Sequence, residues 1–209
     1  MNMTIIGATK GIGKEVLKQA LSKAINITVL VRNPSKLDLK KNVNVVAGDF
    51  KSFDSVKEAV NVADIIVITV GVLPTRRDVN VFSKGTRNVI SSIKELKTSP
   101  LIIAVTGIGA GDSEGHGGFA YDKIFKPLLL NTIYKDKNRQ EDILRKEYDN
   151  WIIVRPGFLT NGNKTDNCKA LTNLKGIKAG KISRGDVASF ILKQVENPTF
   201  LKQTPLLMN

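Results

Sequence analysis

The stretch Gly7-Ala8-Thr9-Lys10-Gly11-Ile12-Gly13 follows the apolar run Met3-Thr4-Ile5-Ile6 and leads directly into the periodic segment Lys14 to Ala24. The apolar run predicts a strand, and the recurrence of apolar residues on one face of the following segment predicts a helix. Glycines between them permit a tight turn and a close approach of the backbone to a phosphate. The helix N-terminus adds free N–H donors and a positive dipole end. We interpret the loop as a dinucleotide pyrophosphate site, the alternative being a simple tight connection.

The composition is typical of one folded domain. The chain has 209 residues, of which 42% are hydrophobic, so it can bury a full core, and we expect a single domain over residues 1–209. No apolar run approaches the ~20 residues needed to span a bilayer, and we expect no leader before the first strand. We therefore expect a cytoplasmic protein with no membrane partner. One cysteine, Cys168, and one histidine, His116, exclude an internal disulfide and a Cys/His zinc site, and we expect no metal.

The charge is strongly positive, with 32 Lys and Arg against 19 Asp and Glu and a formal net charge of +13. The excess is spread along the chain, without an arginine-rich tract, an aromatic RNA-stacking motif or a zinc-finger spacing. A dedicated nucleic-acid motif is therefore not expected. A basic field attracts a multiply charged anionic cofactor, although a solvated lysine-rich surface explains most of these lysines.

Strand and helix patterns alternate along the rest of the chain. Five further apolar runs predict strands at Ile27–Val31, Val43–Val46, Ile65–Val70, Leu101–Val105 and Trp151–Val154. Helical patterns cover 52–62, 76–96, 119–146 with a break or kink at Pro127, and 187–195, while Leu206–Met208 is a candidate for a short seventh strand. Together they predict an α/β fold, a Rossmann-type doubly wound parallel sheet ordered 3-2-1-4-5-6, with the ligand crevice between the first and fourth strands. Residues 161–175 are expected to form a pocket-covering loop.

The end of the second strand points to the identity of the dinucleotide. In a dinucleotide fold this end faces the adenosine ribose, where an acidic residue would bind the 2'-hydroxyl and an arginine would neutralise a 2'-phosphate. The sequence from Arg32 to Lys36 contains no acid, which favours NADP over NAD unless Arg32 is only a solvated strand-end residue. Lys10 could contact the same phosphate. Asp49, after the third strand, suits either the adenine amino group or local capping of the next helix.

The order of several motifs carries a family resemblance. With GATKGIG, LVRNPSKL, GDF, ITVG, AVTGIGAGD, YKDKNRQEDIL and IVRPG in sequence, the chain resembles the atypical short-chain dehydrogenase/reductase superfamily over essentially its full length. The branch it is most similar to is the NAD(P)H-binding, NmrA-like group, which also holds the biliverdin IXβ and flavin reductases. The loop has GxxxGxG spacing, whereas that branch usually has GxxGxxG. The resemblance implies NADP bound by Gly7, Thr9, Lys10, Gly11, Ile12, Gly13, Arg32, Asp49, Phe50, Val70, Gly71, Lys137, Pro156 and Gly157.

The family resemblance also bears on the catalytic helix. In the superfamily a tyrosine four residues before a lysine acts as general acid, and the lysine holds the nicotinamide ribose. The lysine resembles Lys137, but the tyrosine position is Ile133, and Tyr134 lies about 100° further around the helix. Thr106 resembles the position near the family's serine, unless its hydroxyl bonds locally. The family's catalytic acid is therefore not carried over to this chain, and the candidate catalytic residues are Lys137 and Thr106 by resemblance, together with the neighbouring Tyr134.

Two further side chains, His116 and Tyr121, are conceivable acids or stacking groups, as is Tyr134. For each of them a position on a loop or on a helix surface is the expected one.

The apolar tyrosine position limits the chemistry. Hydride delivery to an isolated ketone generates an alkoxide that needs a placed proton donor, whereas a flavin, quinone or tetrapyrrole spreads the charge over its own π-system. We expect an NADPH-dependent reductase of such a small-molecule acceptor. The alternative is a non-catalytic NADP(H) sensor that acts through a protein partner. A sugar-nucleotide epimerase or dehydratase is a less favoured hypothesis, because the tyrosine and a sizeable C-terminal substrate domain are both missing.

Overall fold

Eight strands form the main sheet of the computed structural model, which describes residues 1–38 and 41–209. In spatial order they are β3 (Val43–Ala47), β2 (Asn26–Val31), β1 (Asn2–Ile6), β4 (Ile65–Ile68), β5 (Leu101–Val105), β6 (Trp151–Pro156), β10 (Leu206–Met208) and β8 (Lys169–Leu171). The first seven are parallel, and β8 runs antiparallel to β10. The predicted order 3-2-1-4-5-6 and the candidate strand at Leu206–Met208 are confirmed.

Helices cover both faces of this sheet. They are α1 (Gly11–Ala20), α2 (Phe53–Val60), α3 (Val81–Leu96), α4 (Asn131–Glu147), which continues a π-helical segment (Tyr121–Leu130), and α5 (Arg184–Glu196). Helices α1 and α5 share one core cluster, and α2, α3 and α4 share the cluster on the opposite face. A separate parallel pair, β7 (Phe158–Thr160) and β9 (Lys181–Ser183), follows β6. None of these helices, within the described ranges, is long and apolar enough to cross a membrane.

Burial on both faces explains the composition of the central strands. All four residues of β4, Ile65–Ile68, are buried, as expected for a parallel strand between two helical layers. Because the strands β1 to β6 are parallel, their carboxyl ends meet at one edge of the sheet. The loops that follow these strands therefore form the candidate site.

Two predicted boundaries near the glycine loop differ from the structure. Helix α1 begins at Gly11 and not at Lys14, and it ends at Ala20 and not at Ala24. Strand β4 ends at Ile68 and not at Val70. Strand β1 ends where the chain turns at Gly7, so the amide of Thr69 still donates to the Ile6 carbonyl at 2.9 Å, but no strand remains to pair with Val70.

Helix α3 begins at Val81, five residues later than predicted, because a carboxylate from another helix caps it. Its own N-cap residue, Asn80, makes no side-chain cap. Instead the buried Asp136 of α4 accepts a hydrogen bond from the amide of Phe82 at 2.8 Å and another from the hydroxyl of Ser83. A tertiary contact thus sets this helix start, and it joins α3 to the helix that carries the candidate catalytic residues.

Two other segments also differ from expectation. Around Pro127 the predicted helix is π-helical over Tyr121–Leu130, whose wider turns accommodate a residue that has no N–H, and it becomes α-helical only at Asn131. The predicted loop at 161–175 contains strand β8, which extends the sheet beyond β10. Only part of that segment is therefore a loop.

Candidate functional site

The glycine loop packs α1 tightly against the end of the sheet. Gly7 has φ of +101°, a conformation that residues with a Cβ rarely adopt. At Gly13 a Cβ would lie 2.2 Å from the carbonyl oxygen of Gly7 and 2.4 Å from Oγ1 of Thr69. Only glycine at position 13 allows the first turn of α1 to lie this close to β1 and β4.

The N-terminus of α1 is left without a protein cap. Lys10 occupies the N-cap position in extended backbone and makes no side-chain cap, and the first turn contains no acidic residue. First-turn N–H groups without an internal partner suit an anion. Thr9 is half-buried and the side chain of Ile12 is buried in the core, so Ile12 can offer a ligand only its backbone. This cradle fits a dinucleotide pyrophosphate.

The end of β2 carries exposed cations and one acid that we did not predict. The side chain of Arg32 is exposed, with no hydrogen bond or ion pair to the described residues. Leu37 packs in the same core cluster as Ile12, which folds this segment back over α1. Asp38 lies there as well, with a carboxylate oxygen 2.5 Å from Nζ of Lys14. Asp38 escaped prediction because it lies six residues beyond Arg32, outside the strand end.

The side chains of Asp49 and Phe50 contact other residues of the protein. The carboxylate of Asp49 accepts a hydrogen bond from the amide of Lys51 at 2.7 Å, a local contact in the turn before α2, whose N-cap is Ser52. The ring of Phe50 is buried against Gly85 of α3, where a Cβ would approach it to 2.2 Å. Phe50 can therefore contact a ligand only through its backbone.

The ends of β4 and β6 differ in how open they are. A Cβ at Gly71 would meet nothing within 4 Å, so the backbone there is accessible. Val70 is half-buried against the small apolar cluster that includes Val79. Pro156 and Gly157 are buried, and the amide of Gly157 donates to the sheet.

Lys137 reaches from α4 to the end of β5. Its ammonium donates to the backbone carbonyl of Thr106 and lies 5.5 Å from the ring centre of Phe82 and 5.4 Å from that of Tyr134. Burial lowers the pKa of Lys137 to about 8, although the charge of Glu141 acts in the opposite direction. The side chain therefore holds a proton below about pH 8 and loses it above.

Tyr134 is buried, contrary to the surface position expected for it. Its hydroxyl lies 2.8 Å from the hydroxyl of Tyr121, which also contacts the carbonyl of Ile108 at 3.2 Å. Burial raises the pKa of both tyrosines. Tyr121 is half-buried, with its ring 5.2 Å from that of Phe158. The pair is held neutral beside Lys137, and each hydroxyl has a partner.

The surroundings of Ile133 and His116 can be compared with those expected from the sequence. Ile133, at the family's tyrosine position, is buried in an apolar cluster with Val79, Phe82 and Ala110, so no hydroxyl enters the site there. His116 lies on a loop but is half-buried, with Nδ1 2.8 Å from the carbonyl oxygen of Ile177.

Thr106 belongs to a buried ionic network that we did not predict. Its hydroxyl donates to Oε1 of Glu141 at 2.8 Å. The same carboxylate accepts two hydrogen bonds from Arg155, at 3.0 Å from Nε and 2.6 Å from Nη2. The side chain of Arg155 is fully buried, and that of Glu141 is 2% exposed. The network fixes the ends of β5 and β6 against α4.

The outer end of this network reaches solvent. Arg155 also donates to the exposed carboxylate of Asp112, and Arg145 lies 3.3 Å from Glu141. Burial alone would raise the pKa of Asp112, but the hydrogen bond and charge of Arg155 lower it below its usual value. The sequence did contain a signal for this network. Arg155 directly follows the apolar residues Ile152-Ile153-Val154, and a buried charge requires a partner.

Comparison with known proteins places this geometry in a family. The sequence profile of a family described as NAD(P)H-binding matches residues 7–198. The uncharacterized protein YwnB of Bacillus subtilis is 26% identical over 207 residues, covering 95% of this chain and 93% of that protein. ChuY, an anaerobillin reductase from Escherichia coli O157:H7, has a similar fold, with a TM-score of 0.84 at 24% identity over 100% of this chain and 97% of the other.

A second solved structure extends the likeness in fold. A short-chain dehydrogenase/reductase from Veillonella parvula in complex with NADP has a TM-score of 0.79 at 18% identity, over 100% of this chain and 94% of that one. The predicted fold and the resemblance to NAD(P)H-binding proteins are therefore confirmed.

Proposed function

The chain belongs to the NAD(P)H-binding family, and from this premise we propose that it is an NADPH-dependent reductase of a conjugated acceptor such as a flavin, a quinone or a linear tetrapyrrole. Bound NADPH supplies the hydride in this reaction. The protein binds and orients both partners and excludes water from the space between them.

The glycine loop and the carboxyl edge of the sheet bind different parts of the cofactor. Backbone amides of the loop and of the first turn of α1 bind the pyrophosphate, and Arg32 and Lys10 bind the 2'-phosphate. Lys137 binds the nicotinamide ribose, while Pro156 and Gly157 flank the nicotinamide. The adenosine and the rest of the cofactor lie alongside Asp49, Phe50, Val70 and Gly71.

The burial and hydrogen bonding of Tyr134 are the observation that favours a conjugated acceptor over an isolated ketone. Its hydroxyl bonds to Tyr121, and burial raises its pKa, so it can donate a hydrogen bond but is a weak acid. An isolated ketone requires a strong proton donor as the alkoxide forms. A conjugated acceptor takes up the charge in its π-system and can be protonated from solvent. The hydroxyl of Thr106 donates a hydrogen bond to Glu141, so Thr106 helps to position the end of β5 at the site.

Replacement of Arg32 by aspartate tests the assignment of NADPH. The exchange places a carboxylate beside the 2'-phosphate, so NADPH affinity should fall by about tenfold or more while NADH affinity stays level or rises. Titration with both cofactors measures the change. Lys18→Asp makes the same change in charge on the exposed side of α1 and serves as the control for the general basic field. Equal losses in the two variants, or no NADPH preference in the wild type, would contradict the assignment.

The ionisation of Lys137 predicts a basic limb in the pH profile. Because its pKa is lowered to about 8, the ammonium and its charge-assisted hydrogen bonds to ribose are lost as the pH rises through that value. The kcat/KM for NADPH should therefore decline above about pH 8. In Lys137→Arg, whose guanidinium does not titrate in this range, the limb should disappear even if overall activity is lower. A limb that persists in that variant would exclude Lys137 as its source.

A sensor is the second candidate function, since the apolar Ile133 at the family's tyrosine position and exposed apolar side chains near the site are both compatible with it. Leu73 follows β4 with 76% of its surface exposed, and Phe119 precedes the π-helical segment with 79% exposed. Exposed apolar groups at the edge of a site suit either an apolar acceptor or a protein partner. Turnover distinguishes the two functions, since a sensor binds NADPH without oxidising it.

A further inference from the structure

The π-helical segment buries one residue only, the lysine at position 126. Lys126 is 8% exposed, whereas its neighbours Lys123, Ile124, Phe125 and Leu128 are exposed. A lysine is rarely the most buried residue of a helical segment, because its ammonium loses hydration unless it is paired. Its position therefore calls for a chemical explanation.

Lys126 lies beside the candidate catalytic groups. A Cβ at Gly109, in the loop after β5, would meet the stem of Lys126 at 3.4 Å and the rings of Tyr121 and Tyr134 at 3.5 Å each. The ammonium of Lys126 is 5.5 Å from the ring centre of Tyr134, and Lys137 approaches the same ring at 5.4 Å. Both lysines thus lie near the ring of Tyr134, with Lys137 at the end of β5 and Lys126 further along its loop.

The pairing of this ammonium is incomplete. Within the described part of the chain, Nζ of Lys126 has one hydrogen-bond partner, the carboxylate of Glu114 at 2.7 Å. An ammonium has three donors, so two have no protein acceptor. The side chain of Glu114 is 68% exposed, against 11% for that of Lys126. Glu114 can therefore move into solvent at low cost, and the lysine cannot.

We propose that Lys126 binds an anionic group of the acceptor, a carboxylate or a phosphate, which takes the place of Glu114. The proposal rests on the reductase function and narrows its substrates to conjugated acceptors that carry a negative charge. The exposed apolar side chains of the same segment, Ile124, Phe125, Leu128 and Leu129, suit the uncharged part of such a molecule. The acceptor is therefore amphipathic, with an extended π-system and an anionic substituent.

Matched pairs of compounds test the proposal by binding alone. The protein saturated with NADP+ is titrated with biliverdin and its dimethyl ester, which differ in carboxylate charge, and with FMN and riboflavin, which differ in phosphate charge. We expect the charged member of at least one pair to bind about tenfold more tightly, as for one buried charge-assisted contact. The pair that shows the difference identifies the anion as carboxylate or phosphate.

Three variants separate this contact from the general basic field. In Lys126→Met the preference for the charged compound should vanish. In Lys123→Met, which removes an exposed lysine of the same segment, it should persist. In Glu114→Gln the charged compound should bind more tightly than to wild type, because its competitor is removed.

The outcomes also separate this proposal from the reductase function. Equal affinities within both pairs, an undiminished preference in Lys126→Met, or no binding of any of the four compounds would overturn the role of Lys126. NADPH oxidation combined with equal affinities within both pairs would support the reductase function and still overturn the role of Lys126. A lack of NADPH oxidation with every acceptor would overturn the reductase function, whatever the binding preferences.

Discussion

Replacement of Gly13 by alanine is expected to lower NADPH affinity by at least a hundredfold. The new Cβ would lie 2.2 Å from the backbone carbonyl of Gly7 and 2.4 Å from the Thr69 hydroxyl, both far below a normal contact. Backbone cannot yield as the tip of a flexible side chain can, so the first turn of α1 must move away from β1. The N–H groups that form the phosphate cradle move with it, and the binding geometry is lost.

Calorimetric titration with NADPH measures this loss, and thermal unfolding shows how far stability falls with it. Gly162→Ala is the matched control, because its Cβ would meet only Thr160 Oγ1 at 3.6 Å, an ordinary contact. That variant should retain wild-type affinity and stability. Wild-type NADPH affinity in a folded Gly13→Ala protein would show that the glycine loop does not bind the pyrophosphate.

Replacement of Glu141 by glutamine is expected to give the largest loss of stability of any single change at the site. Arg155 is fully buried, and Glu141 is its bidentate partner, with contacts at 3.0 and 2.6 Å. Removal of this buried partner leaves the charge of Arg155 with only the exposed carboxylate of Asp112, and the breaking of a buried pair costs ~3–5 kcal/mol. Urea unfolding should therefore show a free energy of unfolding lower by that amount.

Asp112→Asn provides the comparison within the same network. Asp112 also pairs with Arg155, but its side chain is 64% exposed. Loss of an exposed partner costs roughly 0–1 kcal/mol, so this variant should remain close to wild type. Similar losses in Asp112→Asn and Glu141→Gln would show that burial does not set the strength of this network.

The fold was predictable because its signals are local and repeated. Apolar runs such as Ile65–Ile68 identify strands buried on both faces, and the glycine loop identifies the first strand-to-helix turn. Two of the boundaries that were wrong depend on contacts between distant residues. Helix α3 begins where Asp136 caps it from α4, and β4 ends where its partner strand turns at Gly7.

The candidate site was predictable only in outline. Lys137 and Thr106 do lie together, and Ile133 is apolar in structure as in sequence. The burial of Tyr134 could not be predicted, because it depends on Tyr121 arriving from a π-helical segment that has no distinct sequence period.

The pairing of Lys126 with Glu114 also escaped prediction, since charged residues twelve positions apart have no local pattern that joins them. The roles proposed for these residues remain predictions.

The most direct test of the central claim follows NADPH absorbance after the purified protein is mixed anaerobically with flavins, quinones and linear tetrapyrroles in turn. We predict saturable NADPH oxidation with at least one conjugated acceptor, slower oxidation of NADH, and no oxidation with simple ketones. Tight NADPH binding without oxidation by any of these acceptors would contradict the reductase and favour the sensor.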